Sequence, residues 1–336
     1  MRVLPVTFGV VAIALVGAMI GAGGPEASPE MPTAFVARER AGREAILPLP
    51  YLEDLPDAKV ALGRKLFFEP RLSRDDSISC ASCHDPRRGG ADGRRYPIGI
   101  GGAVGAVNTP TVFNAALNAF QFWDARAATL EEQAAGPVHN PIEMGSNWNE
   151  VIGKLAADPA YARAFAGVYP DGMTAASIVD AIATYERTLL TTGSRFDRYL
   201  RGDPTALTAR ELSGFRRFMD FGCASCHQGA NIGGNMLQRF GVMSDRIEGR
   251  ATTGAAPGRY AVTGREEDRS VFKVPSLREV TNTAPYFHDG SVASLSEAVA
   301  IMARVQLGRE ISADDTEAIV AFLGTLVGSL PQGALP

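Results

Sequence analysis

Two identical pentapeptides, Cys80-Ala-Ser-Cys83-His84 and Cys223-Ala-Ser-Cys226-His227, set the architecture of this chain. They take all four cysteines of the 336 residues, so none is left for a structural disulfide. Two thiols three positions apart can add to the two vinyl groups of one haem, and the adjacent histidine is then placed to bind the iron from one side. A zinc site made from both Cys-x-x-Cys pairs is the alternative use of the same residues. The wide separation of the pairs and the histidine directly after each favour two covalently bound haem c groups.

Outward from the pentapeptides, residues 53 to 68 and 207 to 221 carry helical apolar spacing and lead toward one site each, a weak internal duplication. Helix starts are expected at Thr174, Thr208, Ser294 and Ser312, the second and third as capping boxes with Glu211 and Glu297. Apolar stripes follow, Ile178-Ile182-Tyr185-Leu189 in one helix and Ile319-Phe322-Leu323-Leu326 in another. Little strand alternation is visible. The expected fold is mainly α, with two cytochrome c-like helical domains, one covalent haem in each, long irregular loops and little β structure. The domains are placed at residues 31–200 and 201–336, with the end of the second able to pack back on the first.

Residues 1–30 read as an export signal or a retained anchor, because Arg2 precedes an apolar run from Val3 to Ile20 and a Gly/Pro/Ser/Glu-rich stretch follows. A periplasmic location is the expectation. The rest is ordinary globular composition, 46% hydrophobic and 21% charged. Thirty-three basic against 37 acidic side chains give a net charge of −4, which lacks the basic field that a nucleic acid partner requires.

The sixth position of each iron separates electron carriers from peroxide-reacting centres. Only His139 and His288 remain as further histidines, and Met236, Met243 and Met302 compete for the second haem. Seven glycines between Gly89 and Gly105 predict a loop with few side chains to hold it, and a second Gly-rich stretch, 229–264, follows the second haem site.

Further segments, NTPTVFNAALN (108–118), FWDARAATLEEQAAGP (122–137), NPIEMG (140–145), FKVPSLREVTNTAPYFHDGSV (272–292) and SEAVAIMARVQLG (296–308), stand in this order. With the two haem motifs they resemble the bacterial di-haem cytochrome c peroxidases, a family that includes the methylamine-utilisation maturation enzyme. The resemblance implies a peroxide-reacting haem on Cys80, Cys83 and His84, with Glu143 as acid–base catalyst and Gln133 positioning peroxide or water. It implies that Trp123 lies between the haems as an electron path, with Arg126 pairing with a haem propionate. It implies that the second haem, on Cys223, Cys226 and His227, takes Met302 as its axial ligand, with His288 as a propionate partner. A Ca²⁺ ion held by Asn108, Thr283 and Pro285 is implied between the domains.

Many members of the family block the peroxide-reacting iron with a histidine from the Gly-rich loop, where this sequence has Ile100. The reading is therefore a permanently open first haem, with His139 as a substitute ligand in the rival case. The implied activity is reduction of hydrogen peroxide to water with electrons from a small cytochrome c or a cupredoxin, by an exported enzyme that can form a homodimer. Two alternatives stand beside it. One is oxidation of a protein or organic substrate, as in the maturation branch, which uses a tyrosine where this chain has Met302 and no tyrosine after Tyr286. The other is plain electron transfer with both irons closed.

Overall fold

Side chains that close the free amides of a first turn begin most of the helices. In the computed structural model, described for residues 45–51, 54–243 and 257–335, the helices longer than one turn are α1 (Asp57–Phe67), α2 (Leu130–His139), α3 (Trp148–Ala156), α4 (Pro159–Val168), α5 (Ala175–Arg187), α6 (Arg195–Leu200), α7 (Ala209–Asp220), α8 (Leu295–Leu307) and α9 (Ala313–Leu323). Thr174 caps α5, Thr208 forms a capping box with Glu211 at α7 and Ser312 caps α9, as their sequence contexts predict, whereas Ser294 caps α8 by accepting the Glu297 amide without the return bond from Glu297 that a capping box requires. The only sheet among the described residues is two short antiparallel strands, β1 (Leu237–Arg239) and β2 (Val271–Lys273), with Leu237 opposite Lys273. The export-signal region and residues 244–256 of the second Gly-rich stretch lie outside the described residues.

The duplication is stronger in three dimensions than in sequence. Helix α1 crosses α5 at Gly63, where a Cβ would stand 1.8 Å from the Ala181 carbonyl oxygen, and α7 crosses α9 at Gly214, 1.8 Å from that of Ala318. One turn further on, Phe67 meets Tyr185 at 5.2 Å between ring centroids, and Phe218 meets Phe322 at 5.3 Å. Phe67, Tyr185 and Phe322 are fully buried, each stabilising its core by roughly 1.5–3 kcal/mol through removal of apolar area from water. Glycine is needed at both crossings because any side chain would drive the helix backbones apart.

A second repeated device stands before α2 and α8. Phe122 and Phe287 both take left-handed backbone, φ 65° and 70°, as do Ala125 and Gly290, φ 56° and 57°. The bridges Gln121–Ala127 and Tyr286–Val292 close the two loops identically. Trp123 and His288 therefore occupy equivalent places, each carried on a tight loop held by the cap of the following helix, Thr129 or Ser294.

Apolar side chains gather in two principal cores, one around Leu66, Phe67, Tyr161, Ile178 and Tyr185, the other around Phe196, Phe218, Ile319 and Phe322. The chain crosses between them at both ends. Ile46 packs in the second core and Ala334 in the first, where the Tyr185 hydroxyl donates to the Ala334 carbonyl at 2.7 Å. A fully buried ion pair ties the crossing together. Arg278 donates to both carboxylate oxygens of Asp197, at 2.8 and 3.1 Å, and to the Ala230 carbonyl at 2.7 Å, while Asp197 also accepts the Leu49 amide at 3.0 Å. No helix among the described residues is long and apolar enough to cross a membrane.

Candidate functional site: two cavities and a shared wall

Each pentapeptide opens into its own cavity. The first is bordered by Cys80, Cys83 and His84 and by Trp123, Arg126, Gln133 and Glu143. The second is bordered by Cys223, Cys226 and His227 and by His288 and Met302. The two cysteine pairs thus face different spaces, and among the described residues no group of three or more Cys, His, Asp or Glu is arranged to hold a metal ion. That removes the zinc alternative. Burial also pushes the thiols up, Cys80 to about 12 and Cys83 and Cys223 to about 11, so they stand as neutral thiols.

Both pentapeptide histidines are held in the same way. His84 is placed against the carbonyls of Gly90 and Pro110, and His227 against those of Ile232 and Pro275. The buried Nδ1 atoms have no hydrogen-bond partner within normal distance and angle. Desolvation lowers both imidazoles, His227 to about 4, which keeps them neutral. A neutral imidazole with its Nδ1 turned into the protein and its other nitrogen available to a cavity is the form that binds a metal centre. Gly233 permits the approach, since a Cβ there would lie 2.2 Å from the Pro275 carbonyl oxygen and 3.3 Å from His227 Nδ1.

In the first cavity Gln133 projects from α2, and Glu143 from the turn directly after it. Asn140 Nδ2 donates to Glu143 Oε1 at 2.6 Å. Burial raises the Glu143 carboxyl above its ordinary range, against the opposing effects of that hydrogen bond and of the Arg126 charge. The Gly-rich loop is stitched down beside it. Ile100 donates its amide to the Glu143 carbonyl at 2.8 Å, its side chain is buried, and a Cβ at Gly99 would lie 2.1 Å from the Ile142 carbonyl oxygen. Ile100 does not border the cavity. His139, the rival ligand, is exposed at the end of α2, edge-on to Trp148 at 5.5 Å, and does not border it either. Met144, unnoticed in the sequence, does border it from within the first core.

In the second cavity Met302 projects from α8, whereas Met243 packs on Gly308 and neither it nor Met236 borders the space. His288 is buried, stacked on Phe272 at 4.1 Å, and its Nε2 has no partner. Arg126 already has a carboxylate partner: its Nη1 lies 2.8 and 2.9 Å from the two oxygens of Asp124, with the guanidinium over the Phe122 ring. Asn108 donates its side-chain amide to the Arg94 carbonyl and its backbone amide to the His288 carbonyl, both at 2.8 Å. Thr283 and Pro285 belong to the turn that leads into His288, and the Thr283 hydroxyl donates to the Val280 carbonyl at 3.2 Å.

Three residues, Trp123, Phe272 and Lys273, border both cavities and form the wall between them. Trp123 Nε1 donates to the Asn108 carbonyl at 2.8 Å, and the Lys273 amide donates to the Trp123 carbonyl at 2.8 Å. The residues present therefore fit two haem groups: two thiols for each, one neutral imidazole for each, and apolar walls.

A sequence profile described as di-haem cytochrome c peroxidase matches residues 57–205. Cytochrome c551 peroxidase of Nitrosomonas europaea is 45% identical over 298 residues, covering 88% of this chain and 88% of that protein. The chain belongs to the di-haem cytochrome c peroxidase family. Its relatives there include cytochrome c peroxidase Ccp of Escherichia coli K12, 49% identical over 286 residues; the match takes in 85% of this chain and 61% of that longer protein. A crystal structure of a MauG-like protein associated with microbial copper homeostasis superposes with a TM-score of 0.75 at 26% identity, covering 93% of this chain and 99% of that one. The family is one of oxidoreductases with two c-type haems, and the mainly helical fold agrees with it.

Sequence reasoning missed three cavity residues besides Met144. Lys273 lies in the quoted 272–292 segment, between the buried Phe272 and Val274, where nothing local sets it apart. Glu186 interrupts the stripe of α5, a charge on a buried face that is itself a signal. Thr109, beside Asn108, has a buried hydroxyl without a partner at the edge of the first cavity.

Proposed function

We propose that the protein reduces hydrogen peroxide to two waters in the periplasm, taking two electrons from a small cytochrome c or a cupredoxin. When bound, the two haems supply the centres that accept single electrons and pass them to peroxide. The observation that carries this reading is the pairing of Glu143 and Gln133 on the wall of the first cavity, which His84 alone enters with an imidazole.

Peroxide cleavage needs a proton moved from the inner to the outer oxygen, so that the departing group leaves as water. Glu143 is suited to both halves of that transfer. Burial favours its protonated form, and Asn140 holds Oε1, so that Oε2 is the oxygen that would exchange the proton. Gln133 offers an amide donor and a carbonyl acceptor, which can orient peroxide without exchanging protons. Two further protons from solvent and two electrons from the donor complete the balance, H₂O₂ + 2H⁺ + 2e⁻ giving 2H₂O.

Met302, which borders the second cavity with His227, would help to hold the second haem for electron relay, and Trp123 would carry electrons across the wall. The Asn108 side-chain oxygen and the Thr283 and Pro285 carbonyls would hold a Ca²⁺ ion, which would order the join between the Gly-rich loop and the His288 turn. Oxygen-only ligation of low charge suits a cation of modest affinity. The buried Ile100, tied to Glu143 by its backbone, supports a first site that stays open without a loop ligand. The test is steady-state peroxide turnover in Glu143→Gln. A fall of about a hundredfold or more in kcat with both haems retained supports the reading, and unchanged kcat would remove Glu143 from the reaction.

A further inference from the structure

The wall between the cavities holds one charged side chain, and it has no partner. Among the four lysines, Lys59 and Lys154 are paired with carboxylates and Lys65 lies over the Tyr161 ring. Lys273 has none of these. It is 6% exposed, with Phe272 and Val274 as buried neighbours in sequence. Its backbone is committed on both sides, to Trp123 through its amide and to Leu237 through the strand pairing, so the side chain cannot withdraw without breaking the wall.

Burying an ammonium without a counter-charge is costly, and buried charges are ordinarily paired. Desolvation lowers Lys273 to about 8 with no opposing contribution, which still leaves it mostly protonated at neutral pH. The other charges that border these spaces are distributed around it: Asp124, Arg126, Glu143 and Glu186 on the first cavity, and Arg239 on the second. The natural candidate for a cofactor carboxylate, Arg126, is taken by Asp124. Lys273 is thus a cation in need of anions, placed where two cofactors that each carry carboxylates would meet.

We propose that Lys273 is the shared counter-cation of the two haems, binding cofactor carboxylates at the wall and raising the reduction potential of both centres together. A lysine suits a shared position because its ammonium is a compact charge with three donors, able to serve two carboxylates at once. Reduction of either iron adds one negative charge nearby, which a fixed positive charge in a poorly solvated wall stabilises. Trp123 lies against the same wall, so the cation also fixes the two groups on either side of the indole. The inference rests on haem occupancy of both cavities and not on peroxide as the substrate.

The test compares wild-type, Lys273→Met and Lys273→Arg holoproteins, with haem counted per chain and both potentials measured by optical redox titration. In Lys273→Met each reduction equilibrium constant is expected to fall about tenfold or more, 59 mV for each tenfold in a one-electron step. In Lys273→Arg both are expected to stay within about threefold, because charge is kept. Unchanged potentials in Lys273→Met, or a shift at one haem alone, would overturn the proposal. If Lys273→Met fails to load two haems and Lys273→Arg succeeds, charge is required for loading and the proposal is supported. If both variants fail to load, shape and not charge is what the position supplies, and the proposal falls. Peroxide turnover of the wild type, read on the same preparation, separates this from the functional reading: shifted potentials without wild-type turnover would sink the peroxidase and leave Lys273 in its role.

Discussion

Trp123 and His288 stand in equivalent loops of the two halves, and their rings meet edge-on at 6.3 Å. The duplicated fold thus delivers one aromatic side chain from each half to the seam, an indole that borders both cavities and an imidazole that borders the second. The indole is fixed by its bond to the Asn108 carbonyl, so its orientation does not depend on what fills the cavities.

Trp123→Phe keeps an aromatic ring and removes that bond. Peroxide turnover is expected to fall at least about tenfold while two haems per chain remain, because a looser ring with a poorer redox character replaces a fixed one. Pre-steady-state transfer of electrons from the second haem to the first is the direct check, and an unchanged rate would contradict the electron-path role.

The buried pair of Arg278 and Asp197 predicts a large structural effect. Asp197→Ala leaves a guanidinium without its carboxylate in a fully buried place, a loss of about 3–5 kcal/mol. Chemical denaturation of the holoprotein checks this, and a change under about 1 kcal/mol would mean that water reaches the site.

Gly63→Ala and Gly214→Ala should each destabilise by about 1–3 kcal/mol or more, since the new methyl meets a carbonyl oxygen of the crossing helix. Equal effects at the two positions are expected from the repeated crossing. A neutral substitution at either would show that its helix pair can separate freely.

Glu186 gives a pH dependence. Burial, the largest influence on it, raises its carboxyl from an ordinary 4.5 to about 8, opposed by Arg187. A raised carboxyl means the folded chain holds a proton that the unfolded chain releases. Its contribution to stability is therefore full below about pH 4.5 and is lost as pH rises toward about 8. Glu186→Gln should raise the unfolding midpoint by a few degrees more at pH 8 than at pH 5, on the order of 2–4 °C for each kcal/mol. Equal shifts at both values would show that Glu186 is ionised in the folded protein.

Much of this was legible in the sequence for physical reasons. The cap residues Thr174, Thr208, Ser294 and Ser312 act locally, so their neighbours suffice to read them. Cys80, Cys83 and His84 declare their chemistry by spacing. Met302 was distinguished from Met236 and Met243 only by resemblance, and of the three it alone borders the second cavity. What could not be read depends on distant segments meeting. Lys273 becomes exceptional only when β2 is placed against Trp123, and Arg126 loses its freedom only through the fold of its own loop onto Asp124. The pairing of Arg278 with Asp197 joins positions 81 residues apart, and neither residue's neighbours hint at the other.

The central claim is an open first site beside a closed second one, and low-temperature EPR of the fully oxidised, as-isolated holoprotein tests it most directly. A high-spin ferric signal together with a low-spin signal is the predicted result, matching a buried Ile100, an outward His139 and Met302 at the second cavity. Two low-spin signals would contradict it, because they would place a sixth ligand at the first site, with Met144 the first residue to replace in seeking it.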